Sequence, residues 1–119
     1  MSYDVYQPDG QPDGQPEQAA AAGTWRVAIE YSNQGQAKPP TLVQIGRTEH
    51  ADRATALRAA ERASYEFSPP DPWSEQSRQV FRDGPDGYLV ILEGATSTFH
   101  MSVRIVSALA PPVTSTAVR

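Results

Sequence analysis

Tyr88–Ile105, YLVILEGATSTFHMSVRI, is the stretch whose reading decides the fold. Two apolar segments flank the turn Gly94-Ala95-Thr96-Ser97. In the second segment Phe99, Met101, Val103 and Ile105 alternate with His100, Ser102 and Arg104. Steps of two send one set of side chains into a core and the other into water, the pattern of a half-buried antiparallel strand. Tyr88–Leu92 is apolar at five consecutive positions, which predicts a central strand covered on both sides at least in part.

Working outward, Asp83-Gly84-Pro85-Asp86-Gly87 reads as the turn into that strand, and Ser77–Asp83 as a strand before it. Near the start, Trp25, Val27, Ile29 and Tyr31 alternate with Arg26, Ala28, Glu30 and Ser32, a clean period of two. Asn33–Pro40 contains Gly35 and a Pro pair and reads as a loop; Leu42–Arg47 reads as a second strand with Val43 and Ile45 on one face.

Asp52–Phe67 has helical spacing. Asp52 or Thr48 can cap its start, and Ser68-Pro69-Pro70 stops it, because proline donates no N–H and restricts its predecessor. At 100° per residue Ala56, Leu57, Ala60, Ala63 and Phe67 share one side, and Arg58, Glu61, Arg62, Tyr65 and Glu66 the other. A stripe of alanine lets a helix lie close to a sheet, with Leu57 and Phe67 as its anchors. The expected fold is therefore α+β: an antiparallel sheet of about five strands, in the order β-β-α-β-β-β, with one helix packed on one face.

The 119 residues divide into an acidic Pro/Gly/Gln-rich tail over 1–23, a single domain over 24–109 and a flexible end over 110–119. The first tail repeats QPDG and lacks the apolar residues that would offset the entropy of ordering. It contains Asp4, Asp9, Asp13 and Glu17 and no basic side chain, so it accounts for the net charge of −4. Thr24–Leu109 holds nine basic and ten acidic residues and is nearly neutral. Such a body offers no electrostatic argument for nucleic acid or an anionic membrane. The absence of cysteine excludes disulfides, thiolate metal sites and a thiol nucleophile. No signal-like start and no apolar run of about 20 residues is present, which predicts a soluble, cytoplasmic chain without a membrane partner.

Catalysis needs converging groups, and few are in view. His50 and His100 have no metal-ligand spacing to carboxylates, and no nucleophile elbow, phosphate loop or dinucleotide fingerprint occurs. Asp83 and Asp86 belong to a tight turn rather than to an acid–base pair. No enzyme activity, metal or cofactor is expected. The candidate binding residues are Arg26, Trp73, Arg78, Arg82, His100 and Arg104. Parity puts Arg26 and Arg104 outward. Arg78 and Arg82 share one face of their strand with Val80, opposite Phe81. If these arginines gather on one exposed face with His100, that face could grip RNA, single-stranded DNA or an acidic peptide through forked contacts. The weightier reading is a solvated face whose field Glu30, Glu49 and Glu93 cancel, without aromatic residues for base stacking. Trp73, in a Pro-rich loop, could anchor an interface or, as is commoner in a small domain, fold back to plug the sandwich.

Trp25-Arg26-Val27, the Ala-rich helix from Ala51 through Leu57 and beyond, Phe67-Ser68-Pro69-Pro70, Arg78–Arg82, Asp86–Val90 and Gly94–Phe99 carry a resemblance. Across Trp25–Val106 the chain resembles a group of small uncharacterised proteins from actinobacteria. These motifs are strand, turn and cap residues. The resemblance implies a shared fold and a bacterial cytoplasm, and it transfers no activity.

The functional expectation is a small non-catalytic protein–protein interaction or regulatory module using an exposed sheet face or edge. Its partner would be another protein or a second copy, paired edge to edge, with the long fifth strand as a candidate edge. Nucleic-acid binding through Arg26, Arg78, Arg82 and Arg104 is the alternative. A ligand or catalytic pocket between helix and sheet ranks last.

Overall fold

The computed structural model describes residues 24–34 and 39–114. The elements are β1 (Arg26–Ser32), β2 (Thr41–Ile45), α1 (Arg53–Glu66), β3 (Glu75–Arg82), β4 (Gly87–Gly94) and β5 (Thr98–Val106). This is the expected β-β-α-β-β-β order, and each element begins and ends within about two residues of its expected bounds. The expected tail over 1–23, the middle of the loop between β1 and β2, and the last five residues lie outside the described residues. Trp25–Val106 forms one compact unit and is treated by itself below.

Every strand pair is antiparallel, and the sheet order is β2-β1-β5-β4-β3. The long β5 is therefore the central strand, hydrogen-bonded on both sides, which corrects its reading as an edge. The edges are β2 and β3. Directly paired residues point to the same face. Val103 pairs with Ile29 and with Tyr88, and Met101 with Val90, so these side chains share the helix-facing side. With Leu92, Ile105, Ala56 and Ala60 they make one buried cluster. The parity read from Phe99–Ile105 is the parity of the core.

α1 lies mainly over β5, with β4 and β1 to either side. The Asp52 carboxylate accepts the Thr55 N–H (2.8 Å) at its start, and the Phe67 N–H donates to the Ala63 carbonyl (2.9 Å) at its end. That first bond holds the Asp52 carboxyl below its usual range. Ala56, Ala60 and Ser64 form the fully buried line against the sheet, while Leu57, Ala63 and Phe67 flank it half-buried. Ser64 was not expected there. It is admitted because its hydroxyl donates to the Ala60 carbonyl (2.9 Å), which satisfies that donor.

Alanine at these positions sets the helix–sheet distance. Ala60→Leu, adding bulk where exposure is zero, should therefore cost about 1–3 kcal/mol by overpacking. Urea unfolding monitored by circular dichroism checks this. An unchanged midpoint would mean that the helix has room to lift.

Two short connections complete the unit. At the β3–β4 turn the Asp83 N–H donates to the Gly87 carbonyl (2.9 Å), and Gly84 takes a left-handed φ of 73°. At the β4–β5 turn the Gly94 N–H donates to the Ser97 carbonyl (2.8 Å). A Cβ at Gly94 would come within 2.6 Å of the Pro72 Cβ, so the loop after α1 packs directly on this glycine.

Candidate functional site

Among the described residues no second layer covers the face away from α1. Register places Arg26, Ala28 and Glu30 of β1 there, with Thr41, Val43 and Ile45 of β2. Ser102, Arg104 and His100 of β5 follow across the sheet, then Leu89 and Ile91 of β4 and Phe81 of β3. Arg26, Arg104 and His100 thus share one exposed surface, as parity indicated.

Arg78 and Arg82 do not join them. Arg78 pairs with Leu92 and Arg82 with Tyr88, which puts both arginines on the helix side. The expected gathering of all the sheet arginines on one face is corrected by this register. Arg78 is an internal anchor. Its Nη1 donates to the Ser64 carbonyl (2.9 Å), its Nη2 to the Phe67 carbonyl (2.9 Å), and its Nε to Glu75 Oε2 (2.7 Å). Those two carbonyls are end groups of α1 that lack intrahelical partners, and a cation suits that end of the dipole. The guanidinium's hydrogen bonds hold the Glu75 carboxyl below its ordinary value. Arg82 lies over the Tyr88 ring, 5.4 Å from its centroid, and donates to the Gly84 and Pro85 carbonyls (2.8 and 3.0 Å). It braces the turn.

Charges on the open face are interleaved. Arg104 Nη1 is 3.3 Å from Glu30 Oε1 and 3.2 Å from Ser102 Oγ, and Arg26 Nη2 is 2.7 Å from Glu49 Oε2. Both pairs are about half exposed, so each contributes little to stability. They do give the surface an alternating sign pattern. Beside this polar band Val43 and Ile45 are each 52% exposed, and Phe81 on the far strand is 43% exposed.

Main-chain bonds show which groups lie free among the described residues. The Gly46 N–H donates to the Val27 carbonyl and the Asn33 N–H to the Pro40 carbonyl, both at 2.8 Å. Bonded and non-bonded pairs alternate along an antiparallel ladder. Ile29–Gln44 and Tyr31–Leu42 are therefore the bonded pairs of β1 and β2. The main-chain groups of Thr41, Val43 and Ile45 point the other way, out along the free edge. On the opposite edge the Asp83–Gly87 bond gives the same phase to β3, and there the outward groups belong to Arg78, Val80 and Arg82. The β3 edge is guarded by charged side chains and by an irregularity between Glu75 and Ser77. The β2 edge, TLVQI, has no charge. Charges and bulges are the usual protections of an edge, and β2 lacks both.

The sheet also opens at one end. The β1–β5 ladder stops at Glu30–Ser102, so Ser32 and His100, next in phase, face each other without a ladder bond. A groove of about 420 Å³ lies at this opening, lined in part by Glu30, Ser32, Thr41, Thr98, His100 and Ser102. Ser32 Oγ donates to Asp71 (2.8 Å) rather than to His100. Among the described residues no hydrogen bond joins the His100 ring to a hydroxyl or carboxylate. Among the described residues no group of three or more His, Asp or Glu is placed to hold a metal.

Trp73 stands in the loop between α1 and β3 and is 94% exposed, so its ring does not plug the sandwich. The neighbouring Pro72 takes the buried position, against Gly94. Sequence reasoning placed Val43 and Ile45 on one face of a strand but missed them as surface features. The available signal was an uncharged strand between a Pro pair and a glycine.

Comparison of the chain with protein-family models, curated proteins and solved structures found no significant match, and so adds no support to the actinobacterial resemblance.

Proposed function

We propose that this chain is a non-catalytic protein–protein interaction module that engages an extended segment of its partner at the β2 end of the open sheet face. The observation that carries this reading is the coincidence, on one strand, of half-exposed Val43 and Ile45 with main-chain groups of the same residues that are unpaired among the described residues. Added-strand recognition uses both features: main-chain bonds supply affinity and alternate side chains supply specificity. The ion pairs Arg26–Glu49 and Arg104–Glu30 beside the strand supply signs that would orient the partner. Trp73 would be a peripheral anchor. A cytoplasmic location belongs to the same proposal; among the described residues no helix is long and apolar enough to cross a membrane.

Nucleic acid remains the lesser proposal, since the open-face cations alternate with Glu30 and Glu49 instead of forming a basic stripe.

The test is capture by the tagged full chain beside its Ile45→Lys variant. Ile45 is exposed, so the substitution should change stability by no more than about 0.5 kcal/mol while abolishing retention of the captured protein. Equal retention by both chains would sink the reading, as would a metabolite that raises the melting temperature of both while neither retains any protein. Oligonucleotide binding at low salt, weakened alike by Arg26→Gln and Arg104→Gln, would turn the assignment to the alternative.

A further inference from the structure

The β2 edge is complementary to itself. Its outward main-chain groups belong to Thr41, Val43 and Ile45, a set symmetrical about Val43. Turned by a twofold axis through Val43, a second β2 runs antiparallel to the first and presents the same three residues in return. Val43 then meets Val43 of the second copy, and Thr41 meets Ile45 in both directions. Each is a hydrogen-bonded pair exchanging two main-chain bonds. All three side chains of each copy fall on the open face, so the two Val43–Ile45 patches would become continuous.

Electrostatics favours the same occupant. With no charged residue on TLVQI, a copy meets no like charge across this edge. The β3 edge cannot extend the assembly, because Glu75, Arg78 and Arg82 and the irregularity at Glu75/Ser77 guard it. One open edge and one guarded edge make a closed pair rather than a filament.

We infer that the chain self-associates as a twofold dimer through antiparallel β2–β2 pairing centred on Val43, giving a sheet that continues across two copies. This inference rests on the proposed use of the β2 edge and names its occupant.

The experiment is sedimentation of the full chain over a range of concentrations, with Val43→Lys and Val43→Glu run alone and mixed. The wild type should pass from monomer to dimer below about 1 mM. Each variant places like charges directly opposite across the axis and should associate at least about tenfold more weakly. Mixing the two variants should restore dimer, because the ammonium introduced in one chain then faces the carboxylate introduced in the other. Glu30 is the β1 neighbour of position 43 in the register, so thermal unfolding of both variants confirms that each remains folded. A wild type that stays monomeric overturns the inference, as does a mixture that associates no better than either variant alone. If the wild type is monomeric yet Ile45→Lys still loses a captured protein, the self-pairing fails while the interaction reading stands.

Discussion

Arg78→Ala should lower the unfolding free energy by about 2–4 kcal/mol, because it strands two helix-end carbonyls and one carboxylate at once. The guanidinium side chain is only 11% exposed and joins the Ser64 and Phe67 carbonyls to Glu75 through hydrogen bonds of 2.7–2.9 Å. Solvent cannot replace these partners fully. Arg78→Lys keeps the charge but not the planar fork, so it should recover less than half of the loss. Denaturant titration of the three chains reads this directly, and an Arg78→Ala midpoint equal to wild type would refute the anchor. A pH dependence follows. Glu75 has its folded value depressed below 4.5, so its contribution is present above that pH and is lost as pH falls through the lowered value. Wild type should therefore lose stability on acidification below about pH 4.5 more steeply than Arg78→Ala, in which the depression is gone.

Leu92→Ala should cost about 2–5 kcal/mol. Leu92 is 1% exposed and lies in the ladder between Phe99 and Arg78 on the helix side. Removing its isobutyl group leaves a cavity beneath α1 that rigid strands cannot close. For a unit of this size the whole stability is about 4–12 kcal/mol, so the variant should be largely unfolded at moderate urea. Leu89→Ala on the same strand is the internal comparison. Leu89 points to the open face and is half-buried, so its loss should be under half that of Leu92→Ala. Equal losses measured by calorimetry would mean that the open face is covered in solution, which would itself locate an interface.

Legibility followed the range of the interactions. The alternation over Phe99–Ile105 predicted which side chains are buried, and Asp52 and Ser68-Pro69-Pro70 predicted the helix ends, because parity, capping and proline act over one to four residues. Ser64 escaped because a hydroxyl counts as polar until its acceptor, four residues back, is taken into account. Trp73 could not be placed from composition: Pro72 rather than the indole filled the space at Gly94. For the candidate site, Arg26, Arg104 and His100 were readable as one surface, whereas the β2 edge was not, since an edge exists only relative to the strands beside it.

The amino-acid order alone determined five strands, one alanine-lined helix, their bounds and the two-sided character of each strand. Only the assembled sheet decided that β5 is central, that β2 is bare while β3 is guarded, and that Arg78 and Arg82 serve the helix and a turn. The physical reason is that parity within a strand sorts residues into two sets without saying which set meets the helix. That choice is made by the register against a neighbouring strand, here the pairing of Arg82 with Tyr88 and of Arg104 with Ala28.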